Sequence, residues 1–212
     1  MGRMAVFQRS LFDTATEPCL RPLDSAVRRI PLSDGAWIDH LPGWVERAEL
    51  LFEDLVGQVA WRSEERKMYD RTVDVPRLMA SYGDDVPAPH PLLDEAKSIL
   101  TSHYRGLPGA DLATIGLCLY RDGGDSVAWH GDTISDDRAQ DAVVAIMSLG
   151  WRRRLALRPK RGGSRSVHFE LGEGDLLVMG GSCQRTWEHS VPKTTRRVGP
   201  RVSVQFRPLG AR

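Results

Sequence analysis

From Trp44 onward, apolar residues return at helical spacing: Val45, Ala48, Leu51, Phe52, Leu55 and Val59. A period near 3.6 puts them on one stripe, so the spacing predicts an amphipathic helix whose start is marked by Pro42-Gly43. A second helix is predicted over Pro91–His103, with Leu92, Leu93, Ala96, Ile99 and Leu100 as its buried stripe. Between the two, residues 62–89 are charged and interrupted by Pro76, Pro87 and Pro89, which reads as irregular chain with short strands. After Gly106-Leu107-Pro108-Gly109 the pattern turns to β. Short β-prone runs at 113–120, 142–149, 153–157, 166–171, 175–179 and 201–206 are separated by Gly, Pro and Asp turns. Helices first and strands later predict an antiparallel jelly roll buttressed by N-terminal helices, mainly β with flanking α. The division is an N-terminal helical extension over 1–110 and a jelly-roll core over 111–210, together one compact domain.

Composition narrows the class. A chain of 212 residues is long enough to close a core around a buried site, and short for two independent domains. With 41% hydrophobic and 27% charged residues it reads as a soluble globular protein. It has no long uninterrupted apolar span and no secretory-type apolar segment, so a cytoplasmic home and no membrane partner are expected. Cys19, Cys118 and Cys183 are odd in number and far apart, which excludes a disulfide framework and a four-cysteine zinc site. A formal charge of +1 does not announce a nucleic-acid binder, but the distribution is uneven. Arg152, Arg153, Arg154, Arg158, Lys160, Arg161 and Arg165 surround a Gly162-Gly163 turn, and Arg185, Lys193, Arg196 and Arg197 follow. This run is either a solvated hairpin or an edge that tracks phosphates.

The chemistry concentrates in His130-Gly131-Asp132, the distant His189 and the strand-like run from Arg201 to Arg207. Two imidazoles and a carboxylate can occupy one face of an octahedral metal and leave the other face open. That arrangement suits non-haem Fe(II), whose vacant positions take an oxo-acid cosubstrate and dioxygen. In a strand Arg201, Ser203, Gln205 and Arg207 share one face, while Val202, Val204 and Phe206 share the other. Six residues of extended chain separate the two arginine Cα atoms by roughly 20 Å, so only long side chains leaning together grip one small molecule. Arginine has that reach, and its planar fork pairs with carboxylates. The wall fits a dicarboxylate, with Gln205 and Ser203 as helpers. His40, His90, His103 and His168 have no such company and read as surface or helix-flanking residues. Cys183 lies near His189 but has no second cysteine at ligand spacing.

Read as an ordered set, several segments resemble the AlkB family of Fe(II)/2-oxoglutarate dioxygenases. They are Leu-Tyr-Arg-Asp-Gly at 119–123, Asp-Ser-Val-Ala-Trp-His-Gly-Asp at 125–132 and Ser-Leu-Gly at 148–150. Gly-Asp-Leu-Leu-Val-Met-Gly-Gly at 174–181, Trp-Glu-His-Ser-Val-Pro-Lys at 187–193 and Pro-Arg-Val-Ser-Val-Gln-Phe-Arg at 200–207 continue it. Val75-Pro76-Arg77 and Tyr82-Gly83-Asp84 look like the segment that precedes the family's catalytic core.

The resemblance implies a double-stranded β-helix with a nucleotide-recognition lid in its N-terminal extension. It further implies oxidative dealkylation of alkylated bases in DNA or RNA by a monomer. Fe(II), held by His130, Asp132 and His189, would work with 2-oxoglutarate and O2, releasing succinate, CO2 and an aldehyde. Tyr120 would bond the cosubstrate carboxylate, Arg201 would grip its remote end and Arg207 would work near the iron. His130 would supply one face of the base pocket, and Tyr69, with Trp61 and Tyr82 behind it, the other; Arg77 joins them as a substrate contact. Val127, Ile146 and Leu149 are candidates for a dry lining. One position departs from the pattern: Cys118 stands where the best-known members carry an asparagine, and a thiol is too weak a donor to replace an amide. Two other readings fit the same residues. One is a 2-oxoglutarate-dependent hydroxylase of a protein or small molecule. The other is a non-catalytic lesion-binding module, which Cys118 keeps open.

Overall fold

The computed structural model describes residues 17–23, 27–68, 71–83, 85–132, 140–162 and 165–210; the side chains of 64–68 and 71–74 are outside that description. Strands β1 (Cys19–Leu20), β2 (Arg28–Pro31), β3 (Ala36–Leu41) and β4 (Val45–Glu46) lead to helix α1 (Ala48–Gln58). Next come β5 (Arg62–Met68), β6 (Arg71–Tyr82) and helix α2 (Pro91–His103). The remaining elements are β7 (Leu112–Tyr120), β8 (Val127–His130), β9 (Val144–Gly150), β10 (Arg153–Pro159), β11 (Val167–Leu171) and β12 (Asp175–Gly181). A short helix α3 (Cys183–Thr186), β13 (Trp187–Val191) and β14 (Arg201–Pro208) complete the chain.

Helix α2 has the predicted limits. Pro91 lies in its first turn, where a missing N–H costs nothing, and the His90 ring accepts from the Leu92 N–H at 3.1 Å as the cap. Helix α1 begins four residues later than the apolar stripe. Val45 and Glu46 pair with Leu20 and Cys19 instead, and Arg47 then turns the chain through a left-handed conformation at φ 55°. Trp44 and Val45 are buried as expected, but from extended chain.

Residues 62–82 depart from the expectation of irregular chain. They form an antiparallel hairpin, and β6 extends the main sheet by pairing with β7. Pro76 is accommodated by an irregularity: Ser63 pairs with Leu78 and Glu65 with Asp74, so one residue of β5 spans three of β6. A residue without an N–H fits where the ladder is already interrupted.

Two sheets face each other. The larger runs β2-β3-β12-β9-β14-β7-β6-β5 and the smaller β11-β10-β13-β8. Strand alternation divides the larger sheet's side chains cleanly. Leu117, Leu119, Met147, Leu149, Val178, Val202, Val204 and Phe206 join α1 and α2 in one apolar cluster. Tyr120, Val144, Ile146, Leu177 and Met179 face the smaller sheet and meet Leu155, Leu157, Leu171, Trp187 and Val191. Leu149 therefore packs on the helical side rather than lining the inter-sheet space, while Ile146 and Val127 do line it. This is the jelly roll, with helices buttressing the outer face of one sheet.

Candidate metal centre

The smaller sheet brings the three predicted donors together. His189 on β13 lies directly across from His130 at the end of β8. Val191 pairs with Val127, so two residues of β8, Ala128 and Trp129, oppose the single Ser190. That β-bulge re-aims the strand end. It lets Val127 pack into the inter-sheet core while His130, three residues on, turns towards His189, with ring centroids 4.2 Å apart. Asp132 follows, buried, with Oδ2 3.9 Å from His189 Nε2. One ligand atom from each of the three lies within 4.8 Å of the others.

Hydrogen bonding and burial prepare the donors for a metal. His130 Nδ1 is 2.8 Å from the Ala128 carbonyl, which only accepts, so Nδ1 carries the proton and Nε2 offers its lone pair. Burial lowers the His189 pKa to about 3, with His130, Arg207 and Lys160 acting in the same direction and Asp132 opposing, so this ring is neutral at physiological pH. Burial alone would raise the Asp132 pKa. The Arg207 guanidinium, charged and hydrogen-bonded to it, holds the carboxyl below its usual range. Arg207 Nε donates to Asp132 Oδ1 at 3.1 Å, whereas Oδ2 is buried without a hydrogen-bond partner. An orphaned carboxylate oxygen buried beside two imidazole rings is costly unless a cation meets it. The residues fit Fe(II).

The cosubstrate wall stands on β14, at the centre of the larger sheet between β7 and β9. Arg201 is 0% exposed. Its Nε and Nη2 donate to Ser148 Oγ, its guanidinium carbon lies 5.3 Å from the Tyr120 ring centroid, and its Nη1 is buried without a partner. Burial lowers the arginine pKa, Tyr120 opposes that shift, and burial pushes the tyrosine up to about 12. A buried guanidinium with a free N–H fits an anionic end of a ligand. Arg207, six residues on, donates to Asp132, so along β14 one arginine lies at the triad and the other away from it. Gln205 Nε2 donates to Ser203 O and Oγ at 2.9 and 2.7 Å, and the Cys118 thiol faces Gln205 Oε1 at 3.8 Å. The thiol thus occupies its place by leaning on Gln205.

The residues expected to contact a base are scattered. Tyr69 lies outside the described residues. Along β6, half-buried Met79 packs in the inter-sheet cluster, whereas Leu78, Ala80 and Tyr82 pack on the helical side. Arg77 shares the Met79 face by alternation and donates to Ser126 O at 3.3 Å, with its Nε buried and unpaired. Trp61 also packs on the helical cluster and donates to Val56 O, so neither it nor Tyr82 is brought to the triad. Tyr82 does line a cavity of about 460 Å³ with Arg62, Ser63, Met79 and Ser81.

The basic run divides. Arg153 is buried and donates to the carbonyls of Asp122, Asp125 and Pro192 at 2.7–2.9 Å, which rules it out as a phosphate contact. Arg152, Arg154, Arg158 and Arg185 pair with Glu173, Glu170, Glu188 and Asp141. Lys193, Arg196 and Arg197 are exposed, without a carboxylate partner among the described residues. Sequence reasoning missed Ser148 beneath Arg201, and Gln184, whose Oε1 accepts the Asp132 N–H at 2.9 Å. Their proximity to the expected motifs was the only signal.

Comparison with known proteins agrees with this geometry. The profile of the 2OG-Fe(II) oxygenase superfamily matches residues 56–207. The chain is 30% identical over 187 residues to the human Alpha-ketoglutarate-dependent dioxygenase alkB homolog 3, covering 78% of this chain and 64% of that protein. The mouse homolog 3 is 33% identical over 192 residues, again with 78% and 64% covered. Human DNA oxidative demethylase ALKBH2 is 28% identical over 183 residues, covering 76% of this chain and 69% of that one. The chain thus spans slightly under two thirds of the length of the homolog 3 proteins. A solved structure of OsALKBH1 shares the fold with a TM-score of 0.56 at 14% identity, covering 85% of this chain and 100% of that one. Since the profile runs through both imidazoles, the carboxylate and both arginines, this chain belongs to the 2OG-Fe(II) oxygenase superfamily, and the relatives it resembles are AlkB homologs.

Proposed function

We propose that the protein removes alkyl groups oxidatively from bases of DNA or RNA, using Fe(II), 2-oxoglutarate and O2 and releasing succinate, CO2 and an aldehyde. One observation carries the reading: two buried polar atoms without partners, Asp132 Oδ2 and Arg201 Nη1, mark the two ends of one wall. The first asks for a cation and the second for a carboxylate. The demethylase name of the ALKBH2 relative supports the choice of substrate class.

Bound iron supplies activation of dioxygen coupled to oxidation of the cosubstrate. The chain's own residues do the rest. His130, Asp132 and His189 would hold the metal. Arg207 occupies one oxygen of Asp132, so the carboxylate would offer a metal a single atom. Arg201, Tyr120 and Ser148 hold the far carboxylate of the cosubstrate, and the apolar inter-sheet cluster excludes water from the site. Hydroxylation of the carbon on a base nitrogen yields a hemiaminal, which breaks down to the aldehyde and the restored base. Arg77 on β6, whose Nε is buried and unpaired, is the described residue best suited to contact the base. Exposed Lys193, Arg196 and Arg197 meet backbone phosphates; Lys193 and Arg196 also line a cleft of about 230 Å³ with Arg152 and Arg154. Among the described residues, no helix is long and apolar enough to cross a membrane. Cys118 and Cys183 are buried thiols outside any disulfide, in keeping with a reducing compartment such as the cytoplasm.

The test offers the protein, with Fe(II), 2-oxoglutarate and air, single-stranded oligonucleotides carrying N-methylated bases, and separately a peptide panel. Succinate and formaldehyde released in similar amounts from the oligonucleotides, and lost in Asp132→Ala, are expected. Turnover of peptides alone would make it a protein hydroxylase. Lesion binding without 2-oxoglutarate consumption, unchanged in Asp132→Ala, would make it a binding module.

A further inference from the structure

Helix α3 sits directly on the metal-ligand tripeptide. The Gln184 side chain is buried, and its Oε1 accepts the Asp132 backbone N–H at 2.9 Å while its Nε2 meets Met179 Sδ at 3.7 Å. The Gln184 main-chain carbonyl also closes on Gly131: a Cβ at Gly131 would lie 2.7 Å from it and 3.0 Å from Lys160 Nζ. Lys160 in turn donates to that carbonyl at 2.8 Å. The helix itself is pinned from outside, since Ser182 Oγ donates to Asp34 O at 2.6 Å. Between His130 and Asp132 the chain is therefore held at two points by one residue that comes from 52 positions further along.

We propose that Gln184 is a positioning residue for the metal centre: its amide oxygen fixes the backbone at Asp132 so that the free carboxylate oxygen faces the two imidazoles, and Lys160 locks Gln184 in place. The inference rests on reading the triad as a metal site. The physical reason is local. Arg207 fixes one oxygen of Asp132 but leaves the carboxylate free to swing about that contact, and only a second hold on the main chain removes the freedom. A glycine at 131 is required because any side chain there would displace the Gln184 carbonyl.

Cobalt(II) is the probe, added anaerobically to the full chain and followed through its visible ligand-field bands, beside a thermal unfolding midpoint measured without metal. Gln184→Leu is expected to weaken Co(II) binding about 10- to 100-fold, the usual span for residues supporting metal ligands. Its bands shift, and the metal-free midpoint stays near that of the parent. Gln184→Glu keeps an acceptor at the same reach and restores binding, whereas Gln184→Asn, one methylene shorter, does not. Gln184→Leu or Gln184→Asn binding Co(II) as the parent does, with unshifted bands, would overturn the assignment. If Gln184→Leu does not fold, the Glu and Asn pair decides alone. Failure of the parent to bind Co(II) at all would instead remove the metal reading beneath it, a separate and recognisable outcome.

Discussion

In the eight-stranded sheet, β9 and β12 are buried along all but their last residue, whereas β10 and β11 of the four-stranded sheet alternate between core and water. The first sheet is covered by helices on one side and by its partner sheet on the other. A guanidinium on its inner face, Arg201, is thus shielded from water and keeps a free N–H for a ligand. The second sheet has one wet face, where Arg154 pairs with Glu170 and Arg158 with Glu188. It contributes the imidazoles from a bulged ladder near its edge. The contrast teaches that the two halves of the site rest on different physics: the arginine depends on a doubly packed core, the metal donors on strand pairing and local brackets.

The contrast is broken most forcefully at Phe206, fully buried against the helices at the centre of the larger sheet. Phe206→Ala is expected to cost about 3–5 kcal/mol in urea unfolding, because the cavity has packed neighbours on every side. Arg201→Met comes next. It should weaken 2-oxoglutarate binding, measured anaerobically on the Co(II) form, by about 100-fold, while the ligand-free protein unfolds no more easily, since a buried charge without a carboxylate partner is replaced by an apolar chain. A large loss of stability there would mean that the arginine holds the fold rather than the cosubstrate. The smallest effect belongs to the wet face. Arg154→Ala should change stability by less than about 1 kcal/mol, as exposed ion pairs do, and a cost approaching that of Phe206→Ala would erase the distinction between the sheets.

Much of this was legible in the sequence where the signal is periodic or local. Pro91 and the regular stripe after it delimit α2, and alternation along 201–207 separates the arginine face from Val202, Val204 and Phe206 as the structure does. His130 and Asp132 are two residues apart and announce themselves. The start of α1 was hidden because Trp44 and Val45 are buried whether the chain is helical or extended. Gln184 and Ser148 reach their partners across 52 and 53 residues through single polar contacts, which leave no periodic trace. Arg153 is the instructive case. It is the middle one of three consecutive arginines, and only strand alternation distinguishes its buried side chain from the exposed Arg152 and Arg154.

The hairpin of β5 and β6 was hidden by its charge, and that charge has a use. Strand β5 closes one end of the larger sheet, where the open row of N–H and C=O groups would template the addition of a foreign chain. Its sequence, Arg-Ser-Glu-Glu-Arg-Lys-Met, is a poor invitation to such growth. At the opposite end β2 reads Arg-Arg-Ile-Pro and finishes on a residue with no N–H to offer. Both ends of the sheet thus oppose self-association into fibrils, and replacing the β5 charges with β-branched residues would be expected to promote aggregation.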